Sequence, residues 1–408
     1  MLLIGPFSQI LPMSGLPLKG PLQDEQLPVI TQGGIVVTDG VITDMGRFAA
    51  LRLQYPQSEV HFIDKPMVLL PGFIDCHTHI CYDGTRNRDY AMRVAGKSYL
   101  EIARAGGGIW DSVLKTRMAD DVTLAENTVA RANRHLKEGV TTIEVKSGYG
   151  LDMVSEMKML QAIQSASLHT QATLIPTCLA AHMLPKDFPG TETEYLNRVL
   201  AELLPVVQAE QLAARVDIFI EETAFTPQAA RSFLDKAIAM GFAATVHADQ
   251  FSTGGSEVAV AAGALSADHL EASTDKEITQ LAHSGTAAVV LPGASLGLGM
   301  PFAPARRLLD EGASLVIASD WNPGSAPMGD LLLQAAVLSA AQKLSVAETL
   351  AALTVRAAPV LQLRQTGELG LHYAADMQAY PSGDYRDLLY YQGKMKPAMV
   401  WKKGVMIS

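Results

Sequence analysis

The chain is poor in cysteine, carries no block of basic residues and has no long apolar run. Its three cysteines, Cys76, Cys81 and Cys178, form no CxxC pair and no even-numbered framework. That excludes a disulfide-built scaffold and fits a reducing compartment. Lys and Arg total 32 against 42 Asp and Glu, a formal charge of −10, which gives no electrostatic footing for a nucleic-acid partner. No uninterrupted apolar stretch approaches the ~18 residues of a membrane span. The opening MLLIGPFSQILPMSG lacks a basic start and is broken by Pro6 and Pro12, a poor signal peptide. Internal repeats and low-complexity segments are absent too. With 48% hydrophobic and 18% charged residues, the composition is that of a well-packed globular protein. The expectation is a cytoplasmic protein without nucleic-acid or membrane partners.

The pattern along the chain changes twice. Residues 28–70 contain PVITQGGIVVTDGVITDMGRF and VHFIDKPMVLLPG, β-rich runs broken by Gly-Gly and Asp-Gly, which predict hairpins in an antiparallel sheet. From residue 71, eight strand-like runs follow: 72–80, 141–148, 172–181, 216–223, 243–249, 264–270, 286–293 and 314–320. Helix-like segments lie between them, among them 154–167, 227–241 and 276–285. Their apolar residues recur at three- and four-residue spacing, with Gly241 and Gly285 as stops. Such alternation predicts an α/β fold of the (β/α)8 TIM-barrel type. After residue 365 the text is β-like again, in LLYYQGKMKPAMVWKKGVMIS. The predicted division is a small β-sandwich-like domain from 1–70 and 365–408 beside a catalytic barrel of 71–364.

In PGFIDCHTHI (71–80), two histidines bracket a threonine at the end of an apolar run. Alternation in an extended chain puts His77 and His79 on one face and Thr78 on the other. His182 follows the third strand, His247 ends the fifth, His269 the sixth and Asp320 the eighth. Barrels of this kind build their sites at the C-terminal rim of the strands, so these six metal-competent side chains converge on one mouth. The other histidines, His61, His135, His169, His283 and His372, read as surface or internally satisfied groups. Lys146 on strand two reads as a structural charge behind the site rather than a carboxylated metal bridge; Glu221 and Glu222 receive no role.

Three imidazoles and one carboxylate, from His77, His79, His247 and Asp320, suit one Zn2+ or Fe ion per subunit with a position left for water. Asp320 can take that water's proton and pass it to a leaving nitrogen. His269, not needed as a ligand, can hydrogen-bond a developing oxyanion. The reaction class that follows is metal-dependent hydrolysis of a carbonyl-type C–N bond.

PGFIDCHTH, a lone His on strand five, a His on strand six and an Asp on strand eight resemble the metal-dependent amidohydrolase superfamily. GKSYLEIARAGGGI (96–109), TTIEVKSGYGL (141–151), HADQFSTGG (247–255), LSADHLE (265–271) and SDWNPGSAP (319–327) resemble one family within it. That family is the imidazolonepropionases of histidine degradation, and the similarity runs from about residue 30 to about residue 375. The resemblance implies hydrolysis of the cyclic amide of 4-imidazolone-5-propanoate to N-formimino-L-glutamate with one Zn2+ or Fe ion. The residues matching the family's ligands are His77, His79, His247 and Asp320. Substrate contacts are implied at Arg86, Tyr149, His182, Gln250, Asn322, Gly324 and Ser325, with Tyr99 close by.

The connection after strand one is far longer than an ordinary βα loop. Arched over the mouth, it can deliver Arg86 to clamp a substrate carboxylate, while Arg88 and Arg93 read as solvent-facing or locally paired. A homodimer is a common state for such proteins and is expected here. Some segments depart from the family's pattern. CYDGTR places Asp83 where a first glycine is usual, ASLGLGMPFAP (294–304) stands in place of aromatics, and AYPSGDYRDLLYYQGKMKP lacks the usual Gly-x-x-Ala-Asp-Leu run, which YAADMQAY (373–380) resembles. These departures spare the metal set and leave a second reading open: a related cyclic amidohydrolase or deaminase acting on another imidazolone- or hydantoin-like ring.

Overall fold

The Asp-Gly pair at residues 39 and 40 makes a hairpin, with φ of +50° and +80°, the left-handed pair that a tight two-residue turn requires. It joins β2 (Ile30–Thr38) to β3 (Val41–Arg47), and β2 runs antiparallel to β1 (Leu2–Ile10). The other predicted break, Gly33-Gly34, lies inside β2 instead. A Cβ at Gly34 would stand 2.9 Å from the Phe48 ring, so the bare backbone there lets the helix Phe48–Gln54 pack against the strand. β4 (Glu59–Phe62) and β5 (Val68–Pro71) pair in parallel with successive halves of β1. The structure, a computed structural model, describes residues 1–407, without the side chains of residues 99, 100 and 103.

All eight strands expected after residue 71 form, and in order. They are β6 (Phe73–Asp75), β7 (Val140–Lys146), β8 (Thr173–Ala181), β9 (Arg215–Phe219), β10 (Ala243–Ala248), β11 (Ser266–His269), β12 (Ala287–Val290) and β13 (Leu315–Ile317). Each is hydrogen-bonded in parallel to the next. Beyond β6 and β13, Asp320 N donates to His77 O and His79 N to Trp321 O, both at 3.0 Å, which closes the barrel. The predicted helices are there with small shifts, as Met153–Ser167, Pro227–Ala239 and Asp275–Ala282. Asp152 and Thr226 cap the first two, accepting from the backbone N–H of Ser155 and Ala229. The long connection after β6 folds into the helices Asn87–Val94, Tyr99–Arg104 and Ile109–Met118 before the barrel helix Asp121–Lys137. No helix of the described residues is long and apolar enough to cross a membrane.

The chain then returns to its first sheet. β14 (Met377–Tyr380) pairs antiparallel with β5, followed by β15 (Met399–Lys402) and β16 (Val405–Met406). Across the far edge Ile42 N donates to Tyr373 O and His372 N donates to Ile42 O, so the sheet folds over on itself. Phe7 of β1 and Trp401 of β15 meet edge to face, 6.4 Å apart, in its apolar interior. This is the sandwich-like unit built from both termini. One part of the β-like tail is helical instead: Asp387–Tyr390 form a single turn that buries Leu388 against the helix Leu331–Gln342 and leaves Tyr390 outside.

Candidate active site

Thr78 explains how two neighbouring imidazoles come to share one face. Its hydroxyl donates to Glu144 O at 2.6 Å, its N–H to Glu144 Oε2 at 3.1 Å, and its carbonyl accepts from Lys146 N. With Thr78 turned to β7, His77 and His79 point into the barrel mouth. There the Nε2 atoms of His77 and His79 lie 3.3 Å apart, and those of His79 and His247 3.2 Å apart. Asp320 Oδ1 stands 3.4 Å from His79 Nε2 and 3.6 Å from His77 Nε2. Donors on a zinc tetrahedron of ~2.05 Å radius are separated by about 3.3 Å. The three histidines form the one cluster of metal-competent groups found among the described residues, and the set fits a divalent metal ion.

Each of two imidazoles is held from behind by a carboxylate. His77 Nδ1 lies 2.6 Å from Asp268 Oδ2, and His247 Nδ1 2.9 Å from Asp217 Oδ2. At His77 this hydrogen bond fixes the tautomer and leaves Nε2 free to coordinate, whereas the Asp217 contact at His247 is close but lacks hydrogen-bond geometry. Lys146 Nζ, fully buried, is 2.8 Å from Asp217 and 2.9 Å from Glu144. Burial would lower its ammonium, but the two carboxylates outweigh that and raise it. Lys146 therefore stands as a paired charge under the histidine cluster. Burial pushes His77 and His79 well below the usual imidazole range and His247 to about 4, so these rings are neutral, as ligands must be.

Strand alternation sends Asp268 into the barrel and would turn His269 away from it. The backbone at His269 adopts φ +92°, and its ring comes to 5.4 Å from that of His247. Its Nδ1 is 3.6 Å from the buried carboxylate of Glu271. Burial opposes protonation of His269, yet Glu271, Asp320 and Asp268 together raise it, so this ring is the proton-rich one of the group. Burial raises the carboxyl of Asp320 as well.

A cavity of about 550 Å³ opens over these groups. Arg86, Tyr149, His182, Gln250, Asn322, Gly324 and Ser325 all line it, as do His79, His247, His269 and Asp320. His182 stacks on His79, centroids 5.3 Å apart, and gives Nδ1 to Gly148 O at 2.9 Å, leaving Nε2 for the cavity. Tyr149 packs 5.7 Å from His182. Asn322 uses its side chain within its own turn: Nδ2 donates to Asp320 O and Ser325 Oγ, while Oδ1 accepts from the N–H of Gly324 and Ser325. Its amide shapes the turn. The Tyr99 side chain lies outside the described residues. Glu221, without an assigned role in the sequence, accepts from the N–H of Phe251 and Ser252 and braces the loop beside Gln250.

One expectation changes. Arg93 does not face solvent or pair locally; it lines the cavity and donates to the carbonyls of Gly297 and Gly324. The 87–94 helix turns that side inward because it lies across the mouth. His135 is an internal, paired histidine as expected: its Nε2 is 3.0 Å from Asp75, whose other oxygen accepts from Ser319 N, tying the Asp121–Lys137 helix to the barrel seam. Asp217, Asp268, Glu271 and Asp89 were not singled out from the sequence. For Glu271 a signal existed in its two-residue offset from His269.

The model of the amidohydrolase family matches residues 68–407. Imidazolonepropionase from Bdellovibrio bacteriovorus is 38% identical over 94% of this chain and 90% of its own length. The one from Deinococcus deserti is 40% identical over 94% of both. Among solved structures, a zinc-bound adenosine deaminase from Xanthomonas campestris superposes with a TM-score of 0.70 at 17% identity, covering 99% of this chain and 92% of its own. A triazine hydrolase variant reaches 0.73 at 16% identity, covering 99% and 94%; at such identities the likeness concerns the fold. The ligand-like cluster at the barrel mouth and full-length kinship agree: this chain belongs to the amidohydrolase family, in its imidazolonepropionase branch.

Proposed function

We propose that this protein hydrolyses the cyclic amide of 4-imidazolone-5-propanoate to N-formimino-L-glutamate. One observation carries the reading: the same cavity is lined by the His79, His247 and Asp320 donors and by the Arg86 guanidinium. A ring with an anionic arm spans such a pair of sites. His77, His79, His247 and Asp320 would hold one zinc or iron ion, which supplies Lewis acidity toward water and the ring carbonyl. Asp320 accepts the attacking water's proton and returns it to the ring nitrogen as the C–N bond breaks and the carbonyl carbon becomes a carboxylate. His269 donates to the oxygen on which charge develops. Arg86 pairs with the propionate. Tyr149 completes that end of the site, and His182 and Gln250 meet the ring's polar edge. Gly324, Ser325 and Asn322 form the wall next to Asp320.

Residues 1–70 with 365–408 act as a supporting domain for the catalytic barrel of 71–364. The working unit is a homodimer in the cytoplasm, a setting that suits the three buried free cysteines. The test offers freshly generated 4-imidazolone-5-propanoate to metal-loaded protein and follows loss of the ring. Opening well above the spontaneous rate is expected; a rate equal to the spontaneous one refutes the proposal. Faster turnover of a hydantoin or of an armless imidazolone would favour the neighbouring reading, another cyclic-amide hydrolase or deaminase.

A further inference from the structure

The helix Asn87–Val94 and the Arg86 that starts it direct three charged side chains toward the cavity. Arg86, Asp89 and Arg93 are spaced by three and four residues, which places them on one helical face. Asp89 is buried. It accepts from Arg86 Nε at 2.9 Å and from Gly108 N at 2.8 Å, so it fixes one edge of the guanidinium and closes the Gly106–Gly108 bend. The other edge of Arg86 lies against Gly324, where a Cβ would stand 2.2 Å from Nη1; the absence of a side chain there is what lets the guanidinium in.

Arg93 takes a different part. Its Nη1 donates to Gly297 O at 2.5 Å and its Nη2 to Gly324 O at 3.3 Å. Gly297 belongs to the helix Pro292–Leu298 that follows β12. Gly324 lies in the turn after β13, whose shape Asn322 sets and in which Asp320 stands. One planar guanidinium thus ties the segment over the mouth to two segments of the rim. A guanidinium presents two donors in a fixed fork, whereas a lysine keeps the charge without the fork.

We propose that Arg93 is a latch: it holds the 87–94 helix across the mouth and keeps Arg86 in register with Asp320, so that an anionic arm gripped by the first presents its ring to the second. This rests on the carboxylate-arm reading above. Arg93 is a positioning residue, acting through the Gly297 and Gly324 carbonyls and not on the ring.

The test compares Arg93→Gln, Arg93→Lys and Arg86→Gln in the metal-loaded protein. It uses 4-imidazolone-5-propanoate, the imidazolone without its arm, and limited proteolysis of the 87–108 segment. Arg93→Gln is expected to raise KM for the armed substrate about tenfold, because weakening its two charge-assisted hydrogen bonds to Gly297 and Gly324 lets Arg86 leave its register. KM for the armless ring stays nearly constant, cutting within 87–108 becomes faster, metal content is retained, and Arg93→Lys recovers part of the loss. Arg93→Gln with parental KM and parental cutting overturns the latch. A raised KM with parental cutting overturns it too, because Arg93 would then act on the ligand directly. Should Arg86→Gln leave KM unchanged while Arg93→Gln opens the segment to protease, the latch stands and the arm-binding reading falls instead.

Discussion

Replacing Asp268 by asparagine removes a charge and little else. Asp268 Oδ2 lies 2.6 Å from His77 Nδ1 and accepts from Thr245 Oγ1 at 3.0 Å, and both His77 and Asp268 are essentially inaccessible to water. An amide oxygen of the same shape still accepts from Nδ1, so the ring stays in place while the bond ceases to be charge-assisted. A hydrogen bond to a charged group contributes about 1.5–3 kcal/mol and a neutral one about half of that. The difference of about 0.75–1.5 kcal/mol corresponds to a roughly three- to tenfold weaker metal site. Asp268→Ala goes further, since Nδ1 then has no partner in a dry interior, and about a hundredfold loss is expected. The assay titrates zinc into apoprotein against a fluorescent chelator, with circular dichroism to confirm the fold. If both variants are folded and bind zinc as the parent does, Asp268 does not orient His77, and the account of the carboxylates behind the ligands is wrong.

Further outcomes follow from the same geometry. Asp320→Asn lowers kcat by about 10²–10⁴-fold by removing the proton acceptor, with a much smaller change in KM in steady-state kinetics; near-parental turnover would remove Asp320 from the proton path. Lys146→Met leaves Asp217 and Glu144 without their shared cation in the barrel interior and costs about 3–5 kcal/mol, read as a lower urea midpoint; an unchanged midpoint would mean the network is neutral in the folded state. Stripping the metal with a chelator brings ring opening down to the spontaneous rate, and zinc or iron restores it. Turnover that persists in protein shown to be metal-free contradicts a metal-dependent hydrolysis.

How much of this could be read from the chain depended on how local the determinant is. The eight barrel strands are short apolar runs with clear boundaries, and all eight form. Likewise the two-residue spacing of His77 and His79 decides their common face wherever the strand lies. The carboxylates behind the histidines are another matter. Asp217 and Asp268 become partners of His247 and His77 only once β9, β10 and β11 are laid side by side in register, with Thr245 opposite both Asp217 and Ser266, and His247 opposite Asp268. Nothing within VDIF or SADH announces it. Arg93 failed for a related reason: a helix whose surroundings are unknown has no inner side, so a charged residue on it defaults to solvent. Gly33-Gly34 misled because a glycine pair marks a turn as readily as a close approach of backbone and helix.

The rim itself shows why the site could not be placed from strand alternation alone. Asp249, His269, Leu270 and Asp320 all have left-handed backbone, with φ of +53°, +92°, +71° and +49°, a conformation that costs a non-glycine residue about 1–2 kcal/mol. Asp249 shows how such a residue is held. Its carboxylate accepts from Gly255 N, Ser256 N and the hydroxyls of Ser256 and Ser273, several bonds against one unfavourable torsion pair. His269 has fewer restraints, a single carboxylate at 3.6 Å and its neighbours' packing, and is the most displaced of the four from the common left-handed region. Strain kept by the surrounding structure is a recurrent property of functional positions. Here it falls where β10, β11 and β13 end, and it turns His269 toward the cavity, an outcome that a relaxed, alternating strand end would not produce.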